Sequence, residues 1–218
     1  MKKLIIALAI VAIASVAQAE ILASWGFAGS NSTAWQAAAP LAGSGLAANI
    51  DSASLSFGAG FTATSSANNL RGNGATWGGA GRTIALTDTS FVQIDLAAAS
   101  GYSLTVEDIA TIVSGSQLNS QDRWAASADG GSYAFVNAQS AATANGTRNH
   151  DITDTTGETV ALRYFASPTG AATSFGFSGA NSLVVNGTTQ ALPVPEPATM
   201  GLLGLGALAM VLRRKIRK

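Results

Sequence analysis

The chain contains no cysteine, which excludes disulfide staples and thiolate metal centres and leaves stability to apolar burial and backbone hydrogen bonding. It contains one histidine, His150, so a multi-histidine metal site is excluded and a serine triad would have to be built on that residue. No Gly-x-Ser-x-Gly elbow accompanies it, and its setting in Thr147-Arg148-Asn149-His150-Asp151 reads as a solvated polar loop. Lysine is missing between Glu20 and Pro193, where five arginines (Arg71, Arg82, Arg123, Arg148 and Arg163) face eleven carboxylates, giving that stretch a formal charge of −6. Binding to a phosphate backbone rests on clustered Lys and Arg, so nucleic acid is not an expected partner.

The remaining basic residues sit at the two ends, and both ends read as targeting segments. Residues 1–19 open with Met1-Lys2-Lys3, continue through an apolar run from Leu4 to Val16 and finish in Ala17-Gln18-Ala19. A basic start, an apolar middle and a small-x-small finish make a secretory signal peptide, with cleavage expected before Glu20.

What lies between, residues 20–192, is rich in glycine, alanine, serine and threonine, yet large apolar residues recur through it at strand spacing. Ile21, Ala23, Trp25 and Phe27 share one face of a first strand, and Gly29 to Gly45 reads as a long loop carrying Trp35. Asp51–Phe57 and Phe61–Thr64 are short strand candidates, followed by a loop from Asn68 to Gly81 with Arg71 and Trp77. In Ser90–Leu96, Val92, Ile94 and Leu96 point one way while Gln93 and Asp95 point the other. Tyr102, Leu104 and Val106 alternate in the same way, and the run through Ile109, Ile112 and Val113 fits either a strand or a turn of helix. Further strands are expected over Arg123–Ser127, Ser132–Val136, Glu158–Phe165 and Thr173–Phe177. Asp129-Gly130 and Asn186-Gly187 are hairpin-turn signals, because these residues tolerate positive φ. About ten short strands with frequent turns and no amphipathic helix predict an all-β domain, a β-sandwich or jelly roll.

Beyond Leu192 the composition changes. Pro193, Pro195 and Pro197 hold the backbone extended and remove amide donors, which suits an exposed linker. An uncharged stretch, Ala198–Leu212, follows. As a helix it spans roughly 22 Å against a hydrocarbon core of roughly 30 Å, a gap that snorkelling arginines or local thinning would close. Residues 213–218, Arg213-Arg214-Lys215-Ile216-Arg217-Lys218, form a basic stop that favours the cytoplasmic side. A single C-terminal hydrophobic transmembrane helix is therefore expected after the β-domain.

Val194-Pro195-Glu196-Pro197-Ala198-Thr199, the glycine-rich apolar helix and Arg213-Arg214-Lys215 together resemble the PEP-CTERM sorting signal of Gram-negative, exopolysaccharide-producing bacteria. The resemblance covers residues 193–218 and implies a substrate of exosortase, a membrane transpeptidase-like enzyme that cleaves near the motif and passes its substrate to the cell surface or extracellular matrix. It further implies that Val194, Pro195, Glu196 and Pro197 are the recognition motif and that Arg213, Arg214 and Lys215 are a retention signal, with membrane anchoring transient. It implies nothing about the ligand of the β-domain.

No catalytic residue, metal or cofactor is expected in that domain. A glycan hydrolase would need paired carboxylates, and Glu107-Asp108, Asp151 with Asp154, and Glu158 are available, but adjacent or loop carboxylates on an acidic surface read as solvated. Asp151-Ile152-Thr153-Asp154 lacks the spacing of a calcium loop. Sugar rings stack on flat aromatic faces, and here the loop residues Trp35 and Trp77 are the candidates, whereas Trp124 and Tyr133 fall in strands and read as core. The expectation is a surface or matrix component with a structural or adhesive role, with a carbohydrate-binding module for exopolysaccharide as the alternative and a glycan hydrolase as the third reading.

Overall fold

The computed structural model describes residues 19–64, 68–73, 83–115, 120–142, 146–167 and 174–193. Its elements in chain order are β1 (Glu20–Trp25), a short helix α1 (Ser32–Ala37), β2 (Leu41–Ala42), β3 (Ile50–Phe57), β4 (Asn69–Asn73), β5 (Val92–Ala98) and β6 (Tyr102–Gly115). There follow β7 (Ser120–Ala128), β8 (Ala134–Phe135), β9 (Ser140–Ala142), β10 (Gly146–Gly157), β11 (Thr159–Ser167), β12 (Ser174–Ser178) and β13 (Leu183–Ala191). The strands form two antiparallel sheets. The first has six strands in the order β1-β13-β6-β12-β4 with β10 on β6; the second has seven in the order β2-β3-β5-β11-β7-β8 with β9 on β7. The chain passes repeatedly from one sheet to the other, so most ladders join strands distant in sequence; β1 and β13, the first and last, are neighbours.

Period-two alternation explains how the sheets stack. Val92, Ile94 and Leu96 of β5, with Val160, Leu162 and Tyr164 of β11, are buried on the inner face of the second sheet. Leu104, Val106 and Ile109 of β6, with Leu183 and Val185 of β13, meet them from the first. Each such side chain stabilises the packed state by roughly 1.5–3 kcal/mol relative to exposure. The protein is thus mostly β, with two sheets enclosing one core.

Several local expectations are corrected. Asn186-Gly187 is no hairpin turn: both residues lie inside β13, where the ladder to β6 slips between Asn186↔Asp108 and Gly187↔Val106. The slip leaves Glu107 as a bulge. Glycine is required there because a Cβ would stand 1.9 Å from the Thr105 carbonyl oxygen. The segment around His150 is not a loop but the middle of β10, paired with β6 as His150↔Ile109. Asn69–Asn73, expected within a loop, is β4, paired with β12. Phe61–Thr64 contributes only an isolated bridge, Ala63↔Gly72. The Gly29–Gly45 segment holds α1, which Asn31 caps by accepting the Ala34 amide on Oδ1 at 2.9 Å. β6 runs as one strand of 14 residues, so no helical turn interrupts it.

Asp129-Gly130 does form a turn, with φ of 50° and 72° and the Gly131 amide donating to the Ala128 carbonyl at 2.8 Å. The signal peptide and the sorting segment, with the helix expected over 198–212, lie outside the described residues apart from Ala19 and Pro193. Among the described residues no helix is long and apolar enough to cross a membrane.

Candidate functional site

The outer face of the second sheet is built in rows by strand register. One row runs Ser54, Asp95, Ala161, Ser127 across β3, β5, β11 and β7. The next begins Ser52, Ala97, Thr159. None of these side chains is long, so the two rows make a low floor. On the other side of the Asp95 row stands a row of large groups, Gln93 opposite Arg163. The Arg163 guanidinium lies 3.8 Å from the Tyr133 ring centroid and 4.3 Å from that of Phe91. Arg163 Nε donates to Gln93 Oε1 at 3.0 Å, and Gln93 Nε2 donates to both carboxylate oxygens of Asp95, at 2.9 and 3.1 Å. The step from large to small side chains creates a depression of about 390 Å³ on which Tyr133, Asp95, Ser54, Ser127 and Ala161 converge. Burial raises the Tyr133 phenol above its ordinary value; Arg163 acts in the opposite direction and Asp95 adds to the rise. Tyr133 therefore stays a neutral hydroxyl.

Sequence reasoning missed this site because it assigned Tyr133 to the core. The outward alternation of Gln93 and Asp95 was its one visible sign. Of the tryptophans expected to bind sugar, Trp35 does not line this depression. Trp35 sits on α1, half-buried, with its ring edge-on to Phe27 at 5.9 Å between centroids and its Nε1 buried. Trp77 lies outside the described residues. Trp124 is fully buried, as expected of a core residue.

A second polar constellation lies between the sheets. Asp122 of β7, wholly buried, forms an ion pair with Arg148 of β10 and accepts a hydrogen bond from the Tyr164 hydroxyl at 3.2 Å. His150, expected to be solvated, is only 5% exposed. It is buried because β10 turns its Arg148 and His150 side chains towards β7. Its Nε2 lies 3.3 Å from Thr111 Oγ1 and 4.0 Å from Asp122 Oδ2. A nucleophile and an orienting carboxylate must address opposite ring nitrogens. Here hydroxyl and carboxylate share one nitrogen in a closed interior, an arrangement suited to holding sheets together. Burial lowers the His150 pKa, an effect that Asp122 opposes and Arg148 reinforces. Burial, with Asp122 beside it, raises the Tyr164 phenol well above its ordinary range.

Of the carboxylates considered for hydrolysis, Asp108 and Asp151 face each other across the β6–β10 ladder, and Glu107 and Asp108 are engaged by neighbouring side chains. Glu107 accepts from Thr188 Oγ1 at 3.1 Å, Asp108 accepts from Asn186 Nδ2 at 2.7 Å and lies in register with Asp151, and Glu158 is exposed in the link between β10 and β11. Among the described residues no group of three His, Asp or Glu side chains is placed to hold a metal ion.

Residues 193–215 match the PEP-CTERM protein-sorting motif. The chain therefore carries a PEP-CTERM sorting signal, the mark of an exosortase substrate. No curated protein matches the chain in sequence. Among solved structures it is similar to CpGH89CBM32-5 from Clostridium perfringens in complex with GalNAc-beta-1,3-galactose, at 15% identity and a TM-score of 0.29, over 44% of this chain and 65% of that one. It is also similar to a pectin binding carbohydrate binding module, at 12% identity and a TM-score of 0.34, over 77% of this chain and 91% of that module.

Proposed function

We propose that this protein is a non-catalytic component of the cell surface or extracellular matrix, exported across the inner membrane, held briefly by its C-terminal helix and released by exosortase. The observation that carries this reading is the sorting-motif match at residues 193–215, which begins two residues after β13 ends at Ala191. The core strands all precede the motif, so cleavage near Pro197 would leave the sandwich whole. The burial of His150 at 5% exposure and the engagement of Glu107 by Thr188 and of Asp108 by Asn186 support a structural or adhesive role rather than hydrolysis.

Intact mass spectrometry of the protein from the membrane, surface and medium of the producing cell tests the reading. The expected product starts at Glu20 and ends near Pro197, in the surface or medium fraction. A protein still ending at Lys218 and confined to the membrane would overturn it.

A further inference from the structure

We propose that the depression on the outer face of the second sheet binds a neutral hexopyranose chain, with Tyr133 as its aromatic wall. The inference rests on the surface-display reading for its setting and gives that surface a ligand class. A pyranose offers an apolar face of C–H groups and a girdle of hydroxyls. It is held by a flat side chain beside planar donors and acceptors.

The depression is lined by the flat Tyr133 and by the planar acceptor Asp95, which Gln93 and Arg163 hold from outside its lining. Tyr133 is half-buried and fixed against the Arg163 guanidinium at 3.8 Å. Asp95, Gln93 and Arg163 are already bonded to one another in a line. Little side-chain freedom would be lost when a ligand arrives, and such preorganisation favours binding. Ser54 and Ser127 add hydroxyls at the floor, where the absence of long side chains leaves room for a ring. The volume of about 390 Å³ falls at the small end of ligand sites, which run from about 300 to 1,000 Å³.

Charge and topology select the occupant. The stretch from Glu20 to Pro193 carries a formal charge of −6, and the Asp95 carboxylate faces the depression, so a polyanion would be repelled. An extended peptide would need an open strand edge for backbone pairing. This site lies instead on the face of β3, β5, β11 and β7, whose backbones are paired with one another. Recognition must come from side chains, as hydroxyl-rich ligands require.

Affinity electrophoresis of the full chain in detergent micelles tests this, with dextran, curdlan or β-1,4-galactan cast in separate gels and alginate as the acidic comparator. Retardation is expected in at least one neutral polymer and not in alginate. Ala161→Trp, which fills the floor from an outward position, and Tyr133→Ala, which removes the wall, should each weaken retention by about tenfold or more. Circular dichroism checks folding, and Ala161→Trp decides if Tyr133→Ala does not fold. Absence of retardation in every neutral gel, stronger retardation in alginate, or retention unchanged in Ala161→Trp would overturn the proposal. A correctly processed protein that is never retarded would sink this site and leave the sorting reading standing.

Discussion

Asp122 and Arg148 form an ion pair that crosses the interior from the second sheet to the first, with Asp122 fully buried and Arg148 16% exposed. The carboxylate also accepts the Tyr164 hydroxyl at 3.2 Å. A buried charge is tolerable only while its partners remain, so the cluster acts as a unit.

Removing one partner should therefore be costly. Asp122→Ala leaves Arg148 without its carboxylate and is expected to destabilise the domain by about 3–5 kcal/mol. Tyr164→Phe removes one hydrogen bond to a charged group and should cost about 1–3 kcal/mol. Urea unfolding followed by tryptophan fluorescence measures both. An Asp122→Ala loss below that of Tyr164→Phe would show that the pair does not hold the sheets.

Stability should also depend on pH through His150. Burial lowers its pKa in the fold, whereas the unfolded chain takes up a proton near the ordinary value of about 6.5. Protons then favour the unfolded state, so stability is full above about pH 6.5 and falls as the pH drops below it. Between pH 7.5 and 5.5 the loss from this group is at most about 1.4 kcal/mol. Urea midpoints across that range should fall in the wild type and show a flatter profile in His150→Gln; equal slopes would refute the assignment.

Gly187, buried in β13, is expected to resist substitution more than the exposed Gln190 of the same strand. A Cβ would meet the Thr105 carbonyl oxygen at 1.9 Å, so Gly187→Ala must displace β6 or β13. A loss of roughly 2 kcal/mol or more is expected, against about 0.5 kcal/mol at an ordinary surface position. Thermal denaturation of Gly187→Ala and Gln190→Ala compares them directly.

Replacing Pro195, Glu196 and Pro197 together by alanine should leave the sandwich and its melting temperature unchanged while the protein accumulates with its tail intact in the membrane fraction. Fractionation followed by immunoblotting reads the outcome. Normal release of this variant would mean that the motif is not what exosortase recognises.

The sequence was legible where inward positions are aliphatic. β5 and β11 stand out because Val92, Ile94, Leu96, Val160 and Leu162 alternate with smaller or polar residues. β10 escaped notice for the opposite reason: its inward positions include Arg148 and His150, whose polarity mimics a loop until Asp122 and Thr111 are seen beneath them. Asp129-Gly130 and Asn186-Gly187 look alike as dipeptides, yet the first turns the chain and the second lies in a bulged strand. The difference lies in the partner strand, β6, which no local signal reveals. The depression was hidden for a similar reason, since strand register sets Asp95 beside Arg163 while Tyr133 reaches them from the link between β7 and β8.

The last strand, β13, is bonded on both flanks, to β1 and to β6. A protein held by its C-terminal end receives every tug of flowing water at Ala191. The outermost rungs, Thr188 to Ala191, are bonded to β6 alone and take the load first. From Gly187 inward to Leu183 the pull must draw on the β1 and β6 ladders together, so the mechanical clamp begins at the bulge and a short single ladder leads up to it.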